Sequence, residues 1–248
     1  MHFRQQSVIP RGLQLFGVGE THVVQMDPGW SLGPVLLHAA TIGAFGALRR
    51  DALCEGFDLR VVSGFRSFRR QLAIWNAKAL GQRPVFDEHE QPLDIGTLCT
   101  RDRIFAILRW TALPGTSRHH WGTDIDVIDA ASMAANYKVR LSVQETREGG
   151  PFAALHSWLD ERIARDLAHG FFRPYTGAGC AVAAEPWHLS FAPLAWQCQT
   201  VFDADALARL QHEEGMELQS EVARCREEIL HRFFEVPPQM YPSRWLPQ

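Results

Sequence analysis

The chain has 248 residues, 46% of them hydrophobic, which is enough for a substantial core in one large domain or one domain with appendages and excludes a mainly disordered chain. Its 25 basic and 28 acidic residues leave a formal net charge of −3, with no basic run of the kind that follows a phosphate backbone, so no nucleic-acid partner is expected. No stretch approaches the roughly 18 apolar residues a membrane span needs, and the opening Met1-His2-Phe3-Arg4-Gln5-Gln6 lacks the charged, apolar, small-residue order of a secretory signal, so a soluble chain is expected.

In chain order, residues 1–34 are rich in Gly, Pro and polar residues and read as an irregular arm on the main body. Leu32 to Glu55 predicts a helix, and Leu59 to Gly64 a strand ending in a turn. Ser67 to Leu80 predicts a second helix, with Phe68, Leu72 and Trp75 at helical spacing and Ser67 as its cap. Arg66 then falls at the strand-to-helix junction. Gly81 to Asp94 reads as a polar loop, and Thr100 to Leu113 as a helix stopped by Pro114-Gly115. A short strand, Asp124 to Ile128, puts Ile125 and Val127 on one face and Asp124, Asp126 and Ile128 on the other. Phe152 to His169 predicts a helix with Leu155, Trp158, Leu159, Ile163 and Leu167 on one stripe and Gly170 as its stop. A Gly-rich turn over Thr176 to Gly179 precedes a strand from Trp187 to Phe191. Asp203 to Phe234 predicts a helical appendage broken near Gly215, packed on its parent domain. There are no internal repeats. Three parts are expected: the arm over 1–34, the main domain over 35–200, and the appendage over 201–248.

Cys54, Cys99, Cys180, Cys198 and Cys225 include no CxxC pair, and an odd count leaves a free thiol; buried small hydrophobes are expected rather than a disulfide framework or a cysteine-bound metal. The chemistry gathers elsewhere. Ser117-Arg118-His119-His120-Trp121-Gly122-Thr123-Asp124-Ile125-Asp126, Glu185-Pro186-Trp187-His188 and Ser63-Gly64-Phe65-Arg66-Ser67 stand out. Two histidines and one carboxylate supply the three protein ligands of a catalytic zinc, leaving a fourth position for water. His119 and Asp126 lie seven apart, so plain alternation would separate them, and Gly122 offers the bend that joins them. Glu185, three residues before His188 and offset by Pro186, stands where a general base belongs.

The order of these residues resembles the signature SxHxxGxxxD followed far downstream by ExxH, and so the LAS zinc metallopeptidases: the D-alanyl-D-alanine carboxypeptidases of the VanY type and their dipeptidase relatives. The resemblance covers about residues 58 to 192. It implies that His119, Asp126 and His188 bind Zn2+ and that Glu185 is the catalytic base. The turn is similar to the family's SGYRS motif, with Phe65 for Tyr, and gives Arg66 the role of contacting the scissile carbonyl. Ser117 becomes a substrate contact, and so does Gln71, at a position often polar in the family. Departures lie at Asp124, where relatives commonly have a small residue, and at His120 and Trp121, which alter the pocket.

Weighed singly, His120, His156, His169 and His231 are read as hydrogen-bonded or surface histidines, and Asp124 as a partner of the ligands rather than a ligand. Arg66 could be a surface ion-pair residue, and its turn motif favours function. Trp187, between base and ligand, reads as a wall of the substrate site. The implied fold is α+β, a small antiparallel sheet carrying the zinc site with helices around it, of LAS/Hedgehog type. The implied function is zinc-dependent hydrolysis of peptidoglycan stem peptides, as a D,D- or L,D-carboxypeptidase. Endopeptidase action, D-Ala-D-Ala dipeptidase action and a zinc-stabilised module that binds cell-wall peptides without cutting them stand as alternatives. A muropeptide is the expected partner, and that substrate class implies the bacterial cell envelope or periplasm, with the cytoplasm left open by the missing signal pattern.

Overall fold

The computed structural model describes residues 8–178 and 181–246; Gly179 and Cys180, at the end of the predicted Gly-rich turn, lie outside the described residues, as do residues 1–7 of the arm. The chain begins with a small pair, β1 (Val24–Gln25) and β2 (Leu36–Leu37), followed by α1 (Ala39–Cys54), β3 (Leu59–Ser63) and α2 (Phe68–Ala79). A second small pair, β4 (Val85–Phe86) and β5 (Pro92–Leu93), leads to α3 (Thr100–Leu108), β6 (Asp124–Asp129), α4 (Val143–Thr146) and α5 (Ala153–Ala164). Then come β7 (Phe171–Phe172), β8 (His188–Phe191), α6 (Ala192–Thr200), α7 (Ala204–Glu213), α8 (Gln219–Arg224) and α9 (Arg226–Ile229). The result is α+β, with an antiparallel sheet ordered β3-β6-β8-β7 at its centre.

Alternation decides what each face of that sheet does. Leu59, Val61, Ile125, Val127, Leu189, Phe171 and Phe191 point one way and bury themselves against Phe45 and Leu48 of α1 and Leu155 and Leu159 of α5. Asp124, Asp126, His188, Ser190 and Phe172 point the other way. There the register sets Asp126 directly opposite His188 and Asp124 opposite Ser190. The ladder between β3 and β6 slips between Val61 and Ser63, an irregularity that re-aims the end of β3 toward this second face.

Several predicted boundaries move. The helix expected from Leu32 begins at Ala39, because residues 36–37 pair with β1 and the His38 side chain accepts the Ala40 amide as the cap. The helix expected to reach Leu113 ends at Leu108; beyond it the Ala112 carbonyl accepts from Gln71 Nε2 and the Pro114 carbonyl from Gln211 Nε2, so tertiary bonds draw the chain away. The helix expected to reach His169 ends at Ala164, since Asp166 and His169 both adopt left-handed backbone and Leu167 is exposed. Within the expected loop 81–94 sits the β4–β5 hairpin. The late helix is broken at Gly215, as expected, and again at Cys225. Among the four described cysteines, Cys198 is buried, Cys54 and Cys99 are exposed and Cys225 lies between, all as free thiols.

Residues at both ends of the chain share the buried clusters of the middle. Leu15 and Phe16 of the arm pack with Phe68, Trp121, Phe172, Leu207, Leu210 and Phe234. Trp75 of α2 donates to the Glu217 carbonyl at 3.0 Å, and Met216, Val222 and Ile229 pack against Ile104 and Ile107 of α3.

Candidate metal centre

Two chain segments are stitched together before any functional group is placed. The Arg66 amide donates to the His119 carbonyl at 3.2 Å, His119 Nδ1–H donates to the Gly64 carbonyl at 2.8 Å, and His120 Nδ1–H donates to the Arg66 carbonyl. Gly64 has to be glycine here, because a Cβ would stand 2.6 Å from Val35 and 2.9 Å from the Leu36 carbonyl. The residues Arg118–Trp121 form a 3-10 turn closed by Gly122 at φ 69°. That turn and left-handed glycine bring His119 back over Asp126, as the sequence expects of Gly122. The arm supports the back of this turn: Trp121 Nε1 donates to the Leu15 carbonyl, and the Phe68 amide to the Gly17 carbonyl.

The second half comes from the entry to β8. The His188 amide donates to the Glu185 carbonyl at 3.0 Å, a tight turn with Pro186 at its second position, which sets the Glu185 side chain beside its own His188. The Glu185 amide is held by the Tyr175 carbonyl and the Trp187 carbonyl by the Val127 amide.

His119, Asp126 and His188 meet, each offering one ligand atom, with those atoms all within 4.8 Å of one another; among the described residues they form a group that could hold a metal ion. His119 Nε2 lies 3.5 Å from Asp126 Oδ2, and His188 Nδ1 lies 3.1 Å from Asp126 Oδ1. The two rings are nearly perpendicular, 4.8 Å between centroids. Each histidine has its other nitrogen tied outside the group, His119 Nδ1 to Gly64 and His188 Nε2 to Asp124 at 3.0 Å. Orientation is therefore fixed by the scaffold. Glu185 Oε2 stands 3.8 Å from His188 Nδ1, and its side chain, at 16% exposure against 2–7% for the three donors, is the most open of the four.

The electrostatics follow from burial and crowding. Burial drives the His119 imidazole down to about 4, against Asp126 and with the help of Arg66 and His188, so it is neutral and able to offer a lone pair. Burial alone would raise the Asp126 carboxyl, and His119, His188 and Arg66 instead hold it below the usual range. Burial would also lower His188, but its bonds to Asp124 and Asp126 push it up to about 10, so a metal bound at Nδ1 would have to displace the proton there. Burial raises the Glu185 carboxyl to about 7, with Asp126 adding and His188 and Arg66 opposing. A carboxyl poised near neutrality can both take and return a proton.

Arg66 is half-buried, donates Nη1 to Gln71 Oε1 at 2.9 Å, and feels the carboxylates of Asp126 and Glu185. Gln71, expected as a substrate contact, has no exposed surface, and its amide nitrogen is spent on the Ala112 carbonyl; its polar ends brace Arg66 and the following loop. Ser117 is buried at 3% with its carbonyl accepting the His120 amide, and Trp187 is buried at 6%. His120, read as an ordinary histidine, is fully buried, with Nε2 accepting the Gly115 amide.

Three further residues were not singled out from the sequence. The Tyr175 ring lies 5.0 Å from the His188 ring. Lys78 donates to Thr111 Oγ1 at 2.5 Å; burial, with Arg83, lowers it to about 8, while Glu185 acts the other way. Its signal was the helical face it shares with Gln71 and Trp75, at steps of seven and three residues. Arg118, beside His119 in the signature, has no exposed side-chain surface and pairs with Asp124 at 3.1 Å.

Residues 34–194 match the family VanY, D-alanyl-D-alanine carboxypeptidase. A Haemophilus influenzae protein described as uncharacterized is 38% identical over 99 residues, covering 40% of this chain and 67% of the relative. Among solved structures, VanYB in complex with D-alanine-D-alanine is similar at 19% identity and a TM-score of 0.48, over 83% of this chain and 90% of that one. The LdcB LD-carboxypeptidase is similar at 19% identity and a TM-score of 0.48, over 84% of this chain and 80% of that one.

Proposed function

The chain belongs to the VanY D-alanyl-D-alanine carboxypeptidase family, whose peptidases target peptidoglycan, and from that premise we propose that it is a zinc-dependent carboxypeptidase that removes the last residue of a peptidoglycan stem peptide. The observation that carries this reading is the grouping of His119, Asp126 and His188 with Glu185 3.8 Å from a ligand nitrogen. Two imidazoles and one carboxylate suit zinc, and three protein donors are the number that leaves a position for substrate chemistry. Bound there, zinc would lower the pKa of a water toward about 7 and polarise the scissile carbonyl.

The chain's own groups do the rest. Glu185 takes the proton of the attacking water and returns it to the leaving amine, a double use supported by its position near neutrality and its greater exposure. Arg66, held by Gln71, is the cation for the oxygen that gains charge as water adds.

Defined tetrapeptide and pentapeptide muropeptides, digested with protein of measured zinc content and read by mass, test the proposal. Loss of one terminal D-alanine from the pentapeptide makes the enzyme a D,D-carboxypeptidase, and loss from the tetrapeptide an L,D-carboxypeptidase. Release of a dipeptide, opening of cross-links alone, or zinc at one per chain with no cleavage would overturn the carboxypeptidase reading.

A further inference from the structure

Asp124 and Asp126 leave the same face of β6 two residues apart, yet they reach opposite nitrogens of one ring. Asp126 Oδ1 lies 3.1 Å from His188 Nδ1, and Asp124 Oδ1 lies 3.0 Å from His188 Nε2. The two nitrogens of an imidazole point in divergent directions, so a carboxylate at Nε2 stands behind the ring, away from His119 and Glu185.

Asp124 is itself anchored. Arg118 Nε donates to its Oδ1 at 3.1 Å and Thr123 Oγ1 to its Oδ2 at 2.5 Å. Arg118 in turn donates to Ser190 Oγ at 2.7 Å, to the Tyr241 hydroxyl at 3.1 Å and to Gln199 Oε1 at 3.3 Å. Gln199 holds Val236 by both backbone groups, at 3.0 and 3.1 Å, and accepts from the Tyr241 hydroxyl at 3.2 Å. The guanidinium also lies 4.8 Å from the Trp121 ring. Neither Arg118 nor Asp124 has any exposed side-chain surface. A buried ion pair of this kind adds little stability over an apolar pair of the same volume, so a role in specifying geometry accounts for it better than a role in stability.

We infer that Asp124 is a positioning residue: neutralised by Arg118, it accepts Nε2–H of His188 and turns the Nδ1 lone pair toward the metal, and the Arg118–Tyr241–Gln199 network holds it there. Residues beyond 194, where the family match ends, thus support the centre through Gln199, Val236 and Tyr241. The inference rests on the proposed reading of His119, Asp126 and His188 as zinc ligands.

Zinc affinity by chelator competition on the full chain, with cobalt substitution to read ligand geometry, tests it. The set is wild type, Asp126→Ala, Asp124→Ala, Asp124→Asn, Tyr241→Phe and, as a control destabilised from the opposite face, Leu159→Ala. Asp124→Ala is expected to keep one zinc per chain with affinity about 10- to 100-fold weaker and an altered cobalt visible spectrum, as loss of a ligand's orienting partner does. Asp124→Asn and Tyr241→Phe are expected to weaken zinc in the same direction by less, and they carry the test if Asp124→Ala does not fold. Leu159→Ala is expected to bind zinc as wild type does. Wild-type affinity in Asp124→Ala, or in both Asp124→Asn and Tyr241→Phe, overturns the inference alone. So does loss of stoichiometric zinc equal to that in Asp126→Ala, which would make Asp124 a ligand, or equal weakening in Leu159→Ala. Wild-type protein that takes up no zinc overturns the metal-centre reading itself.

Discussion

The two faces of the central sheet are written by the same strand and have opposite logic. All six residues of β6 are buried, Ile125 and Val127 on one face and Asp124 and Asp126 on the other. On the first face the neighbours are interchangeable in kind: Phe45, Leu48, Leu155 and Leu159 supply apolar surface, and any good packing would serve. On the second face each carboxylate needs a particular partner, because a buried charge without one is costly. Asp126 finds His119 and His188, and Asp124 finds Arg118 and His188. A strand alternating apolar and acidic residues ordinarily presents its acids to water; when both faces are closed, each acid requires a buried partner.

The largest effect expected from breaking this contrast is on the acidic face. Glu185→Gln should lower kcat/KM on a muropeptide by about 10²- to 10⁴-fold, the contribution of a positioned proton-transfer group, with the thermal melting profile of the protein kept. The pH profile sharpens the assignment. A base works ionised, so the rate falls as pH drops through its pKa. Burial sets the Glu185 carboxyl at about 7 against an ordinary 4.5, and a dication alongside draws it back down, so the acid limb should lie between these values and vanish in Glu185→Gln. A wild-type profile flat to pH 4 would remove Glu185 from the role.

On the apolar face the currency is stability. Leu159→Ala, at a fully buried position of α5, should cost about 2–5 kcal/mol in denaturant unfolding and leave kcat of the folded fraction within about twofold. A loss of turnover without a loss of stability would mean that the two faces are not separable.

This contrast also explains what the sequence could and could not say. Asp126, His188 and Glu185 were legible because strand alternation and a three-residue step around Pro186 fix their directions locally. His119 was legible through Gly122. The brace on Asp124 was not, because Gln199 and Tyr241 lie 81 and 123 residues from Arg118 and no periodicity links them. Helix ends were misjudged for a related reason: Ala112 and Pro114 continue an apolar run, and only Gln71 and Gln211, from other helices, take their carbonyls out of it. Gln71 is polar at a helix position facing the core, which the family resemblance reads as a substrate contact and the fold uses as a brace for Arg66.

Gly122 joins the faces, and a substitution there should touch both. At φ 69° a side chain is strained, and a Cβ would stand 2.5 Å from Val23 and 2.8 Å from the His38 amide. Gly122→Ala should therefore cost about 1–3 kcal/mol and weaken zinc binding as well, since His119 is aimed by the same turn. Normal zinc affinity in a destabilised Gly122→Ala would show that His119 is held by its bond to Gly64 rather than by the turn.

The smallest effect separates two neighbours in the Ser63–Ser67 turn. Arg66 points to the acidic groups, while Ser67 Oγ accepts the Arg70 amide at 3.3 Å and begins α2. Ser67→Ala removes a cap and leaves the first-turn amide to water, which should cost about 1 kcal/mol. Its helix carries Gln71 and through it Arg66, but Gln71 is also pinned at Ala112 and Trp75 at Glu217, and these hold the helix from its middle. Ser67→Ala should thus lower the melting temperature by a few degrees, as about 1 kcal/mol does in a protein of this size, with kcat/KM unchanged. A drop in kcat/KM comparable to that of Arg66→Ala would move Ser67 from the helix cap into the substrate site.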